Sequence, residues 1–432
     1  MFLSVRKLVA GALILLMSDL LAAGIPTREI NNLLISRSVP EAYFGMHVRW
    51  GATTPYWPQA RFHSWRVIST ETTWSSLEPQ KGVWLFDPLD QAVAVAESRG
   101  VEVLYTLGYA PKWAVDRQFI DNWDPGHALP PKKLADWESY VRTVVQRYKG
   151  RIKHYELMNE PHFTEVDSRY SKRDFPVAIM VDMARVAASI IKEHDPKATL
   201  ISMSPSGSLN GIRRLDSFLK AGGGKYIDVV GFHFYEKTPE DIPRLTTALR
   251  HVMANYGLAH LPIWNTESGF YISAPNIPPS RMPSTETIFT PTQGGALVSR
   301  ALTLAVASGI ERFYWYSWDI PTMALTEGKG LVISPAGYAY IKTERWLRGA
   351  TMQGCYTTDH TFWICTLTRG SRQARMVWNT TGARAFTVPP QWQARQFERL
   401  LGEASNVAPN GRIQIDEAPL LIVSDEHVWG ST

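Results

Sequence analysis

His154-Tyr155-Glu156-Leu157-Met158-Asn159-Glu160-Pro161 reads as a strand that is cut short. An apolar run leads into Asn-Glu-Pro, and Pro161 has no N–H and a fixed φ, so a strand cannot continue through it. Glu160 is therefore expected at the C-terminal tip of a strand, facing out of the sheet. Leu261-Pro262-Ile263-Trp264-Asn265-Thr266-Glu267-Ser268-Gly269 repeats the setting, with Glu267 at the tip.

Six further apolar runs share this rhythm: 44–50, 65–70, 101–108, 198–205, 229–235 and 312–319. Helical spacing recurs between them, as at Trp137, Tyr140, Val141, Val144 and Val145. Strands alternating with helices pair in parallel. Eight such units over about 300 residues predict an α/β fold, a closed (β/α)8 TIM barrel. Glu160 and Glu267 then end strands four and seven, on opposing sides of the mouth, where their side chains can meet. After about residue 340 the pattern changes to short alternating segments such as Phe362–Leu367 and Ala374–Asn379. A small C-terminal antiparallel β-sandwich is expected there. The division read from the sequence is 1–24 as a signal peptide, 25–340 as the barrel and 341–432 as the sandwich.

The remaining features bound the function. The chain has 432 residues, 45% hydrophobic and 20% charged, with a formal net charge of +5. That composition is globular, and without a Lys/Arg run it gives no reason to expect nucleic acid. Arg6-Lys7, an apolar run from Leu8 to Met17 and Ala22-Ala23-Gly24 make a secretory signal. Export to the periplasm or beyond is expected, with membrane association only if that segment stays uncleaved. The two cysteines, Cys355 and Cys365, are expected to form one disulfide across a hairpin. No Cys/His spacing resembles a metal site, and no metal or cofactor is implied.

Two carboxylates at opposing strand tips suit one reaction in particular. Cleavage of a glycosidic bond needs one carboxyl that carries a proton and one that stays charged.

Several stretches carry a family likeness: Thr73-Trp74-Ser75-Ser76-Leu77-Glu78-Pro79, Tyr109-Ala110-Pro111-Lys112-Trp113, Met158-Asn159-Glu160-Pro161, His233-Phe234-Tyr235 and Thr266-Glu267-Ser268-Gly269. In this order they resemble clan A glycoside hydrolases, retaining enzymes on (β/α)8 barrels. Within the clan the chain is most similar to family 39 and its relatives that act on biofilm exopolysaccharide. The resemblance implies that Glu160 is the general acid/base and Glu267 the nucleophile. It implies Asn159 on the sugar 2-hydroxyl, Tyr235 bonded to the nucleophile, His233 in the same pocket, and Arg66 keeping the nucleophile ionised. Trp315 matches a platform under the sugar, with Trp318 competing for that role. A like charge and an apolar wall are expected to raise the Glu160 carboxyl.

Alternatives stay open at individual residues. Trp113 is expected to bind substrate by stacking on a sugar face, with loop packing as its alternative, while for Trp74 and Trp123 sugar contact and loop packing stay equally open. Glu156, four before Glu160, is expected to be paired inside the barrel. The partner expected is a polysaccharide or oligosaccharide, met by a monomer. The rival readings are an exo-acting β-glycosidase or cellulase-like enzyme of the same clan, and a non-catalytic carbohydrate-binding component of a polysaccharide export assembly.

Overall fold

The computed structural model describes residues 32–33, 36–51, 57–68, 71–116, 129–167, 174–274, 277–278, 280, 282–357, 360–424 and 429–430. The expected signal segment and Trp123 lie outside the described residues. Among the described residues no helix is long and apolar enough to cross a membrane.

Eight parallel strands form the barrel: β1 (Phe44–Met46), β2 (Ser64–Val67), β3 (Glu102–Thr106), β4 (His154–Glu156), β5 (Thr199–Ile201), β6 (Val230–His233), β7 (Ile263–Ser268) and β8 (Ile310–Trp315). Their order is 5-4-3-2-1-8-7-6. A parallel bridge between Ile201 and Val229 joins β5 to β6 and closes the ring. The predicted TIM barrel is thus present.

The alternation departs from expectation at the start. Among the described residues no helix links β1 to β2, and Pro55 and Pro58 fall in that segment, where each would break one. Helices then follow every strand from β2 onward: Asp87–Ser98, Leu134–Arg147, Val177–His194, Ser208–Lys220, Ile242–Asn255, Pro291–Ala307 and Pro335–Leu347. Each lays its apolar stripe on the outside of the barrel. Trp137, Tyr140, Val141 and Val144 do so with no exposure, which at ~1.5–3 kcal/mol per buried large side chain makes this layer the main stabilising contact. Strand parity sorts the residues. On β2, Trp65 and Val67 join the core under the helices, while Ser64 and Arg66 point into the barrel. Inside, Leu104, Ile201, Val229, Trp264 and Tyr314 form a separate apolar plug.

The C-terminal region is antiparallel. Strands β9 (Thr351–Thr357), β10 (Phe362–Arg369), β11 (Arg372–Asn379), β13 (Gln396–Arg399), β14 (Ala404–Asn406) and β16 (Leu420–Val423) form one sheet in the order 9-10-11-16-13-14. A two-stranded ribbon, β12 (Arg384–Thr387) with β15 (Arg412–Ile415), packs on one face over Ile364, Val377 and Ile422. The other face carries Trp363, Cys365 and Met376 into the main core, so barrel and sheet share one interior. Trp363 and Trp378 stack at 5.8 Å on that face. Cys355 and Cys365 are cross-strand neighbours on β9 and β10 and form a disulfide.

The division at residues 340 and 341 falls inside the helix Pro335–Leu347, and the antiparallel sheet begins only at Thr351. The chain's start also contributes to that sheet. Asn32–Leu33 and Arg37–Ser38 both pair with β9. A lead of this kind shows no helical period, so sequence alone does not say which sheet it joins.

Candidate active site

Above the apolar plug lies a buried polar layer centred on Arg66, which has 1% exposure. Its Nε and Nη2 donate to Glu156 Oε2 at 2.8 and 2.6 Å. Nη1 donates to Glu267 Oε2 at 2.6 Å, and Nη2 also reaches Asn159 Oδ1 at 2.8 Å. Glu156 accepts further from Thr106 and Ser204 at 2.7 and 2.5 Å. Burial pushes the Glu156 carboxyl up, but Arg66, His233 and these hydroxyls outweigh it and hold it below the usual range. Burial alone would pull Arg66 down, and the two glutamates more than offset this. Glu156 is therefore the paired interior acid expected.

Two backbone irregularities aim the functional side chains. Glu160 has φ +43°, a conformation that costs a non-glycine residue energy and clusters at functional sites. Its amide donates to Ser204 O at 3.0 Å, which holds the turn against β5. On β7 the register slips, so that His233 pairs with Glu267 instead of Thr266. Such a bulge re-aims a side chain at a barrel rim. The glycine of Thr-Glu-Ser-Gly has a steric cause: a Cβ on Gly269 would lie 1.9 Å from Tyr316 O.

The two tips meet as expected. Glu160, His233 and Glu267 present polar atoms within 4.8 Å of one another. Carboxyls in such close reach fit a retaining pair, which works at ~5–5.5 Å, and not the wider gap of an inverting one. Tyr235 Oη donates to Glu267 Oε1 at 2.8 Å and Arg66 takes Oε2. His233 Nδ1 lies 2.8 Å from Glu160 Oε1. Burial and the Glu267 charge push the Tyr235 phenol up, which keeps it a donor.

The expected rise of the Glu160 carboxyl does not occur. Burial does push it up, but hydrogen bonds from His233 and Ser206 and the nearby Arg66 charge hold it well below the usual range. His47 stands behind the nucleophile, its Nε2 3.0 Å from Thr266 O and 3.5 Å from Arg66 Nη1. Burial and Arg66 hold it neutral.

Trp315 is not a platform. It has no exposure and stacks on Phe313 at 5.9 Å, beside Phe270, on the helix side of β8. Parity explains the correction: Tyr314 fills the plug, so Trp315 faces outward and Tyr316 returns inward. Trp318 is also fully buried. Tyr316 meets His47 edge-on at 5.1 Å and its phenol is pushed up by burial and by Glu267. Tyr109, at φ +55° after β3, has its phenol pushed up by burial, Glu267 and Glu160 in the same way. Neither tyrosine stands among the sequence-predicted residues, although the two-residue period of β8 points to Tyr316. Trp113 is half-buried, donates to Glu78 O at 2.8 Å and packs edge-on against Trp74. Those contacts belong to loop packing and not to the acidic centre.

A cavity of about 430 Å³ is lined by His47, Arg49, Trp50, Arg66, Glu71 and Tyr316 and extends to Asp87 and Gln91 of the helix after β2; Glu160 and Glu267 do not line it. Its size suits small-molecule binding.

A family model described as glycosyl hydrolase family 10 matches residues 60–204, the span from β2 to β5. Among solved structures, a family 39 glycoside hydrolase from the gut symbiont Bacteroides cellulosilyticus WH2 is 18% identical, with a TM-score of 0.68 over 90% of this chain and 83% of that one. A GH39 enzyme from Xanthomonas axonopodis pv. citri is 15% identical, with a TM-score of 0.58 over 90% and 95%. Endo-1,4-beta-xylanase A of Xylanibacter ruminicola is 29% identical over 36% of this chain and 42% of its own length. The anti-sigma-I factor RsgI6 of Acetivibrio thermocellus is 24% identical over 47% of this chain and 25% of its own. The chain thus spans less than half of the length of each of these two curated relatives. The comparisons bear out the likeness to clan A glycoside hydrolases, with a fold shared with family 39 structures.

Proposed function

We propose that the chain is a retaining glycoside hydrolase that cleaves a polysaccharide by double displacement. The observation that carries this reading is the pair Glu160 and Glu267, close together at opposing strand tips, each with a distinct partner. Glu267, fixed by Arg66 and Tyr235, attacks the anomeric carbon. Glu160 gives its proton to the departing glycosidic oxygen. The glycosyl ester on Glu267 is then hydrolysed by a water from which Glu160 recovers a proton. Asn159, anchored by Arg66, is placed for the sugar 2-hydroxyl, and Tyr316 and Tyr109 wall the cleft.

The substrate proposed is an exopolysaccharide, cut internally by an exported, monomeric enzyme. The Cys355–Cys365 disulfide is compatible with export. The xylanase name of the Xylanibacter relative places β-1,4-xylan beside it as a second candidate. A panel of purified exopolysaccharides, xylan and cellulose, with products followed by proton NMR from the first turnover, tests both points. New reducing ends on a polymer, appearing with retained anomeric configuration, support the reading. Inverted products or no cleavage of any member contradict it.

A further inference from the structure

His233 has no exposure, and its Nδ1 lies 2.8 Å from the carboxyl proposed as general acid/base. Three glutamates, Glu156, Glu160 and Glu267, surround the single guanidinium of Arg66. His47 is held neutral and Tyr235 keeps its proton, so neither supplies charge. With all three carboxylates ionised the centre would carry two uncompensated negative charges beside the fully buried Glu156 and Arg66, a costly state that the partial exposure of Glu160 relieves only in part. One bound proton halves that excess.

We infer that Glu160 and His233 hold this proton jointly, as one storage pair, so that His233 is a positioning residue for the proton Glu160 delivers. The inference rests on the reading of Glu160 as acid/base. The bonds that hold the Glu160 carboxyl below the usual range disfavour it as the resting host. A proton on Glu160 gives up its charge-assisted bond to His233. With the proton on either side of the Glu160–Nδ1 bond the ring carries a buried N–H at Nε2, which has no hydrogen-bond partner among the described residues. The 2.8 Å separation lets the proton cross from one host to the other.

The charges then balance through the cycle. At rest Glu156, Glu267 and Arg66 sum to minus one and the protonated pair is neutral. On glycosylation Glu267 becomes a neutral ester as the pair gives its proton to the departing oxygen and becomes minus one. The total is unchanged. When water attacks, its proton returns to the pair as the C–O bond to Glu267 breaks. The centre never has to change its net charge, so a preorganised surround needs no adjustment between steps.

The test follows His233 in the whole protein with ¹⁵N-labelled histidine, its signal assigned by its loss in His233→Asn. The expected result is that the imidazole loses a proton at the pH of the basic limb of kcat/KM for an oligosaccharide, and that Glu160→Gln moves this titration lower by about one pH unit or more. In His233→Asn the basic limb should shift lower by a similar amount, while an activated aryl glycoside, whose leaving group needs no proton, keeps kcat/KM within about fivefold. A His233 that stays neutral across the active range overturns the inference, as does an equal loss on both substrates at every pH. The wild-type titration decides if the variant fails to fold. If Glu160→Ala loses both substrates alike, the acid/base reading itself fails instead.

Discussion

Arg66 Nη1 lies 2.6 Å from Glu267 Oε2 while Nη2 of the same guanidinium lies 2.6 Å from Glu156 Oε2, so one cation ties the tip of β7 to the interior of β4. Removing it strands Glu156, which has no exposure. Arg66→Met should cost about 3–5 kcal/mol of stability, the usual penalty for a buried charge that loses its partner. Activity should fall by at least ~100-fold, because Glu267 and Asn159 lose their anchor together. Urea unfolding beside kcat/KM checks both, and a well-folded, active Arg66→Met would refute the bridging role.

Leaving-group dependence separates the two glutamates. Glu160→Ala should lower kcat/KM about 10²–10⁴-fold on natural linkages, the usual worth of general acid catalysis. Dinitrophenyl glycosides should be spared in the first step, and added azide should speed the second. Equal losses across leaving groups would remove Glu160 from this role.

Trp315 and Tyr316 are neighbours with opposite expected phenotypes. Trp315 is buried among Phe313 and Phe270, so Trp315→Ala should cost about 3–5 kcal/mol with KM unchanged in the folded fraction. Tyr316 meets His47 and feels the Glu267 charge, so Tyr316→Ala should lower kcat/KM about tenfold with a small change in stability. Thermal melts paired with kinetics distinguish these outcomes from a shared packing role.

At the opposite end of the barrel, Glu102 meets Arg312 at 2.7 Å and His154 at 3.1 Å. Burial pushes its carboxyl up, but His154 and Arg312 outweigh this and hold it at about 2. A carboxylate depressed by folding adds stability that is complete above its ordinary value of 4.5 and is lost as pH falls toward 2. Glu102→Gln should therefore be less stable than the parent at pH 7, by about 1–3 kcal/mol. The gap should close between those two pH values. Urea titrations from pH 7 downward measure it, and a pH-independent gap would contradict the assignment.

The barrel was legible because its signals are periodic. Helix stripes such as Trp137, Tyr140 and Val144, and strand ends cut by Pro161, are local features that burial then confirms. Glu160 and Glu267 were legible for the same reason, since strand number alone places them at the mouth. What stayed hidden depends on contacts distant in sequence. Whether Trp315 or Tyr316 faces inward turns on a parity set by Tyr314 in the plug. The His233 bond to Glu160 spans 73 positions and reverses the expected effect on the acid. The strands at residues 32–38 find their partner only across the whole chain, at β9. Among the described residues no helix appears between β1 and β2, and the prolines in that segment of sequence, Pro55 and Pro58, are a local signal that the repeat's regularity overrode.

The most direct test of the central claim is covalent trapping. Incubation with a panel of 2-deoxy-2-fluoro glycosides, followed by peptide mass spectrometry, should find one sugar bound to the peptide holding Glu267 and none in Glu267→Gln. A label on another residue, or active protein that no member of the panel labels while its products invert, would contradict a double displacement through Glu267.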